Sequence, residues 1–102
     1  MTTLVVARAQ QVIDTVLAVL RGDGFEAEGT TADDEALARL AAGDVTRVVI
    51  GGGVEPSSRQ VLRQVCTSHD VKVIEGALGD RDVTTYVRQE IEPWLREGSS
   101  AA

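Results

Sequence analysis

The sequence has very little of what disulfide bonding, base stacking or membrane insertion requires. Its 102 residues include a single cysteine, Cys66, which excludes an internal disulfide and favours a reducing compartment. Aromatic residues make up 3% of the chain, too few and too dispersed for a base-stacking platform. The first apolar run is too short for a membrane span or a signal peptide and has no basic segment before it. We therefore expect a cytoplasmic protein without membrane attachment.

Positive charge is also scarce. The chain carries 16 acidic and 10 basic residues, for a formal net charge of −6, and the basic residues (arginines and Lys72) are scattered. Nucleic-acid binding requires a concentrated positive surface that releases counterions from phosphates, so we expect no nucleic-acid partner. One histidine and one cysteine are too few for a typical metal site, and the sequence predicts no metal and no cofactor.

What the sequence does contain is an alternation of short apolar runs and amphipathic helical patterns. Strands are predicted in four places: 4–7, 25–30, 45–50 and 71–75. Apolar residues recurring every three or four positions predict helices at 10–23, 31–42, 56–68 and 80–97. We expect residues 1–97 to form a single domain and residues 98–102 to form a disordered tail.

This alternation predicts an α/β fold. Strands that alternate with helices imply right-handed crossovers and a parallel sheet, here four-stranded with the order 2-1-3-4. The result is a three-layer sandwich with helices on both faces, the first and last on one side and the second and third on the other. The strand order reverses between the first and third strands, and a small-molecule crevice is expected at their carboxyl ends.

A glycine-rich junction follows the third strand at this crevice, and two interpretations are open. The amides of Gly51, Gly52 and Gly53 could cradle an anion, as glycine-rich turns and helix N-termini do. The candidate ligand contacts are then Arg8, Gln10, Gly51, Gly52, Gly53 and Arg59. The other interpretation is a tight strand-to-helix turn that needs positive φ and close packing, with Ser57 and Ser58 capping the next helix. The second is favoured, because the stretch does not match a phosphate-binding loop.

The remaining reactive residues lie in less suitable places. Cys66 and His69 fall at the end of the third predicted helix, at the opposite edge of the sheet from the crevice. A helix C-terminus raises the pKa of a thiol, so Cys66 is predicted in the core and His69 on the surface. Acidic residues 33–35, Asp80 and Asp82 open helices, where negative charge is favoured without a bound cation. No catalytic residue is assigned.

The chain resembles the receiver domains of two-component response regulators, which are flavodoxin-like. The resemblance rests on the short first strand, the two-residue connection into the first helix, and the stretch 51–56 after the third strand. Receivers commonly place a proline four residues after their phosphorylated aspartate, and counting back from Pro56 reaches Gly52. Where receivers hold magnesium with an acidic pair, this sequence reads Arg8-Ala9-Gln10.

Two further receiver elements are missing. No serine or threonine stands at Glu75-Gly76-Ala77, near the position of the receiver switch hydroxyl, and no fifth strand with its lysine is predicted in these 102 residues. The resemblance therefore implies a truncated pseudo-receiver that acts by protein contact without phosphotransfer. The leading hypothesis is a non-catalytic regulatory or protein-interaction domain. The alternative is a binder of a small anionic ligand at the glycine turn, and an enzyme with a lone acid such as Glu75 is a third reading.

The fourth strand suggests where a partner would bind. It is predicted at an open edge guarded by Lys72, and an open apolar edge invites another strand. Tyrosine and tryptophan are enriched at interfaces. A homodimer or partner interface is predicted at Val71, Val73, Tyr86, Trp94 and Leu95. The alternative is that the last helix folds over the sheet and buries Trp94.

Overall fold

Strands and helices alternate in the computed structural model of the protein, which describes residues 2–76 and 82–100, with side chains through Arg96. The strands are β1 (Thr2–Val6), β2 (Ala27–Thr30), β3 (Val45–Ile50) and β4 (Lys72–Glu75). The helices are α1 (Gln10–Gly22), α2 (Asp33–Ala42), α3 (Pro56–Ser68), α4 (Val83–Tyr86) and α5 (Glu92–Ser100). A π-helical segment, Val87–Ile91, joins α4 to α5.

The four strands form one parallel sheet in the order β2-β1-β3-β4, which confirms the predicted α/β fold. β1 lies between β2 and β3, so Val5 pairs with both Gly29 and Val49. Val6 pairs with Ile50, which brings the carboxyl ends of β1 and β3 side by side. The reversal of strand order therefore lies where the sequence predicts it.

The sheet has a separate apolar core on each face, because successive strand residues point to opposite sides. The first core packs α2 and α3 against one face: Leu4, Val6, Ala36, Leu40, Val45, Val48, Ile50, Val54, Leu62, Cys66 and Val71. The second core packs α1 and the last helices against the other: Val5, Ala7, Ile13, Val16, Leu20, Ala27, Val49, Tyr86, Val87, Ile91 and Leu95. The predicted distribution of helices over the two faces is confirmed.

The predicted helix ends are correct where a local residue determines them. α2 stops at Gly43, which adopts a left-handed conformation with φ of 85°. α3 begins at Pro56, whose missing N–H costs nothing in a first turn. Its N-cap residue is Glu55 and no side chain caps it, so the predicted capping role of Ser57 and Ser58 is wrong.

The last predicted helix is interrupted. α4 begins at Val83, where the Asp82 carboxylate accepts a hydrogen bond of 2.8 Å from the Thr85 amide. The π-helical segment then precedes Pro93. Proline has no N–H to donate to the carbonyl of the residue four positions earlier, and its ring crowds that carbonyl. The helix continues through residues 98–100, which the sequence assigns to a tail. Residues 77–81, including Asp80, and residues 101–102 lie outside the described part of the chain.

None of the helices in the described ranges is both long enough and apolar enough to span a bilayer.

Candidate functional site

A cavity of about 540 Å³ lies at the carboxyl ends of β1 and β3, on the side of α1 and the last helices. The reversal of strand order predicts a crevice at this position. Its volume is within the roughly 300–1,000 Å³ typical of small-molecule sites. The described residues that line it are Val5, Ala7, Arg8, Ala9, Val12, Val16, Val49, Ile50, Gly51, Gly52, Gly53, Gly76, Val83, Tyr86 and Ile91.

The chemistry of this lining is predominantly apolar. Arg8 and Tyr86 carry the polar side chains among the described lining residues, and none of those residues carries a carboxylate, an imidazole or a thiol. A general acid–base pair therefore cannot be assembled from them. In the described part of the chain, no three histidine, cysteine, aspartate or glutamate side chains are grouped to hold a metal ion.

The glycine turn holds the two strand ends together at the cavity. The Gly51 amide donates to the Val6 carbonyl at 2.8 Å, and a Cβ at Gly51 would lie 3.1 Å from the Ala7 Cβ. Close packing is therefore required at Gly51, as predicted. Positive φ is not: the described glycines that adopt it are Gly24 and Gly43. The Gly52 and Gly53 amides have no backbone acceptor within the described chain.

Arg8 forms the centre of a polar cluster beside the cavity. Its Nε donates to Glu55 Oε1 at 3.0 Å and its Nη2 donates to Asp33 Oδ1 at 2.8 Å. Ser58 Oγ donates to Asp33 Oδ2 at 2.6 Å and accepts from Arg8 Nη2 at 3.0 Å. These four residues, called the Arg8 cluster below, link the end of β1 to the N-terminal ends of α2 and α3. Arg8 Nη1 also donates to the Thr31 carbonyl at 2.8 Å.

The Arg8 cluster keeps its groups ionised. The hydrogen bonds that Arg8 donates to Glu55 and Asp33 raise the pKa of its guanidinium. The Ser58 hydroxyl, followed by Arg8, holds the pKa of Asp33 below its ordinary value, and Arg8 does the same for Glu55. Two carboxylates face one guanidinium, so the cluster carries a net negative charge.

The other two predicted ligand contacts lie outside the cavity lining. Arg59 donates from Nε to the Val54 carbonyl at 2.8 Å and from Nη2 to the Gly51 carbonyl at 3.0 Å, so it braces the glycine turn. Its Nη1 lies 3.4 Å from Glu75 Oε1. Gln10 donates to Asp14 Oδ1 at 3.0 Å, within α1. Of the predicted contacts, Arg8 and the three glycines line the cavity, Arg59 is bonded to the glycine turn from outside the lining, and Gln10 takes no part.

Sequence reasoning missed the hydrogen bonds between Arg8 and its acidic partners. Asp33 is 25 positions away and is interpreted from the sequence only as an acid that opens its own helix, and Glu55 is 47 positions away. The strand order contains the missing signal. The helices that follow β2 and β3 begin at the same edge of the sheet where β1 ends, so acidic residues there come close to Arg8.

The residues predicted at an interface are largely covered by the protein itself. Tyr86 and Leu95 belong to the second core, with 7% and 4% of their surface exposed. Val71 is buried in the first core, and Val73 packs against it. Trp94 is half-buried, with the Arg47 guanidinium 5.7 Å above its ring. The last helix thus packs over the sheet, and these side chains present little free surface in the described chain.

Cys66 and His69 lie far from the cavity in the fold. Cys66 is fully buried in the first core, and burial raises the pKa of its thiol to about 11. His69 is exposed at the C-terminal end of α3. Both placements agree with the sequence prediction.

The fold class follows from comparison of the structure with those of known proteins. No protein-family model matches the sequence, and no curated protein matches it significantly. The structure is similar to the NMR structure of a de novo designed Rossmann 2x3 fold protein, with a TM-score of 0.76 and 15% identity over 95% of this chain and 90% of that one. The protein therefore has a Rossmann-like α/β fold.

A second similarity narrows this class. The receiver domain of the hybrid histidine kinase CckA superimposes with a TM-score of 0.62 and 16% identity, over 93% of this chain and 99% of that domain. Identities this low define the fold alone. The fold is receiver-like, as the resemblance in sequence implies.

Proposed function

We propose that this protein is a non-catalytic regulatory domain that has a receiver-like fold and acts by protein contact. The observation that supports this function is the chemistry at the carboxyl ends of β1 and β3. Arg8 follows β1 and Gly52 follows β3, where the receiver resemblance requires acidic residues. Phosphoryl acceptance needs a nucleophilic carboxylate and a divalent cation held by oxygen ligands. The described lining residues supply neither.

The Arg8 cluster adds a physical reason. The nearest carboxylates, Asp33 and Glu55, are already bonded to Arg8 and Ser58. A magnesium ion would have to displace the guanidinium from both carboxylates and would then lie close to a positive charge. Charge-assisted hydrogen bonds of this kind are the stronger ones in proteins. The cluster thus favours a permanently closed ion-pair network over a metal site.

A phosphorylation assay tests this proposal. The protein is incubated with acetyl phosphate and magnesium, and its intact mass is measured beside that of a phosphorylatable receiver domain treated in the same way. We expect the control to gain a phosphoryl group and this protein to keep its mass. Stoichiometric, acid-labile phosphate on the protein would contradict the proposal.

The contact surface we assign to this function is the outer edge of β4. Within the described chain β4 is a terminal strand of the sheet, with Lys72 and Glu75 exposed and Val73 and Ile74 half-buried. An edge strand offers unpaired backbone groups to a partner strand or to a second copy of the chain. Light scattering over increasing protein concentration tests the homodimer. If the protein is strictly monomeric at the highest concentration, the homodimer is rejected and the edge of β4 would bind a different protein.

A small anion at the glycine turn is the second candidate. One observation favours it: the Gly52 and Gly53 amides at the cavity have no acceptor in the described chain. The surrounding charges give it less support, because Arg8 and Arg59 both face carboxylates. A thermal-shift assay with phosphate and small carboxylic acids tests it, since a ligand that binds the folded state raises the melting temperature.

A further inference from the structure

The cavity has a chemistry that the regulatory proposal does not use. We infer that it binds a small, uncharged, mostly apolar molecule that carries one hydrogen-bond acceptor. This inference is independent of whether the domain accepts a phosphoryl group. It rests on the size of the cavity, the charge around it, the free glycine amides and the irregular helix in its wall.

The cavity is large enough for a small molecule and is mostly apolar. Its volume is about 540 Å³, and apolar residues of β1, β3, α1 and the π-helical segment line it. Val12 and Val16 of α1 face the ligand space from one side and Ile91 from another. Moving an apolar molecule from water into such a site is favourable in proportion to the apolar surface that it buries.

The charges of the described residues at the cavity disfavour both an anionic and a cationic ligand. Arg8 is the charged residue among the described lining residues, and its guanidinium is already bonded to Asp33 and Glu55. The Arg8 cluster as a whole is negative, so it repels an anion. A cation would find no carboxylate among the described lining residues, and burying an unpaired charge is costly. A neutral ligand avoids both costs.

The glycine turn supplies the polar contact. Gly52 and Gly53 line the cavity, and their N–H groups have no acceptor within the described chain. A carbonyl or ether oxygen on the ligand can accept from them without bringing a charge. Ligand pockets commonly combine apolar walls with a few such backbone groups, which set the orientation of the ligand.

The π-helical segment is a separate indication of a site. Tyr86 immediately precedes it and Ile91 ends it, and both line the cavity. π-Helical turns are rare within α-helices and occur frequently at functional sites. Here the π-helical segment contributes Ile91 to the lining and α4 contributes Val83 and Tyr86, whereas α2 and α3 on the opposite face are regular helices.

A matched set of three probes tests the ligand class. Cyclohexanone is neutral with one acceptor, cyclohexanecarboxylate is its anionic counterpart, and cyclohexylammonium is the cationic one. Each is titrated into ¹⁵N-labelled protein while the amide resonances of Gly52 and Gly53 are followed. We expect saturable shifts with cyclohexanone and affinities at least about tenfold weaker for both ions.

Two matched variants locate the binding. Val12→Phe fills the cavity from α1 and should weaken cyclohexanone binding by at least about tenfold. Val61→Phe makes the same change on α3, at a side chain that is 46% exposed and outside the cavity lining, and should leave binding unchanged. If Val12→Phe does not fold, as judged by circular dichroism, Ala9→Leu at the exposed rim replaces it.

Three outcomes overturn the inference. The first is tighter or equal binding of the carboxylate, which would assign the cavity to anions. The second is the absence of saturable shifts with all three probes. The third is cyclohexanone binding that survives the cavity-filling variants. Since acetyl phosphate labelling is measured separately, none of these results decides the proposed regulatory function.

Discussion

The two faces of the sheet are built from the same strands but are packed differently. On the first face, α2 and α3 are regular helices, and Leu40, Leu62 and Cys66 are buried to 1% exposure or less. On the second face, the helix that should complete the layer contains a π-helical segment, and a cavity remains beside it. The cavity at the carboxyl ends of β1 and β3 therefore belongs to the second face.

A buried carboxylate distinguishes the second face further. Glu92 is 3% exposed, its Oε1 lies 3.3 Å from Arg96 Nη2, and its Oε2 has no hydrogen-bond partner in the described chain. Burial, and then the nearby Asp23, raise the pKa of Glu92. Asp23, at the end of α1, is paired with Arg88 at 3.3 Å. Regions that carry imperfect packing and buried charge are those where a protein gives up stability for function.

The largest expected difference in stability is between variants of two adjacent valines on β3. Val48 points into the first core at 0% exposure, and Val49 points into the second core and lines the cavity. Val48→Ala should lower the free energy of unfolding by about 2–3 kcal/mol, because it removes two buried methyl groups and leaves a void in the core. Val49→Ala should cost about half as much, because its methyl groups already border empty space. Urea unfolding of both variants measures the two costs, and equal values would break the comparison.

The Arg8 cluster predicts a pH-dependent effect at the end of the first face. Arg8→Met should lower stability at pH 7 by about 1 kcal/mol, since Arg8 is 27% exposed and its ion pairs are partly screened. Asp33 and Glu55 have lowered pKa values in the folded state, so their contribution is present above their ordinary pKa near 4 and is lost as pH falls. The difference in melting temperature between wild type and variant should therefore shrink below about pH 4.

A matched arginine controls this measurement. Arg47 stacks on Trp94 and bonds to the Thr46 carbonyl, and it forms no ion pair with a carboxylate among the described residues. Arg47→Met should change the melting temperature by an amount that does not vary between pH 3 and 7, about the interval in which carboxylates titrate. A parallel pH dependence in both variants would assign the effect to overall charge rather than to the Arg8 cluster.

The smallest expected change in stability is at Glu92, where the substitution should stabilise the protein instead of destabilising it. A raised pKa in the folded state means that the neutral form is favoured there, so stability falls as pH rises above the ordinary value of about 4.3. Glu92→Gln removes the buried charge and keeps an amide that can donate to Asp23. We expect a gain of up to about 1 kcal/mol at pH 7 that disappears near pH 4, measured by thermal unfolding.

An exposed glutamate serves as the reference. Glu35 lies exposed in the first turn of α2, where negative charge is favoured. Glu35→Gln should give no gain at pH 7. If both variants stabilise the protein equally, the effect comes from its net charge of −6 and not from burial of Glu92.

Much of the fold could be predicted because its signals are local. Gly43 and Pro56 delimit the predicted elements around β3, and the structure places β3 at Val45–Ile50 and α3 at Pro56–Ser68, as predicted. Pro93 lies in the last helix directly after the π-helical segment, so it marks the place where that helix is irregular. The position of the crevice follows from strand order, which itself follows from the alternation of the two patterns.

The sequence by itself thus determined the α/β class, the order of the strands and the pairing of helices with faces, because periodicity and turn residues act over short stretches of chain. Only the tertiary structure decided that Arg8 is bonded to Asp33 and Glu55, that Glu92 is buried, and that space is left beside β1 and β3. Ion pairs, burial and cavities depend on distances between residues that are tens of positions apart. Those distances are set when the layers pack together, and no local pattern contains them.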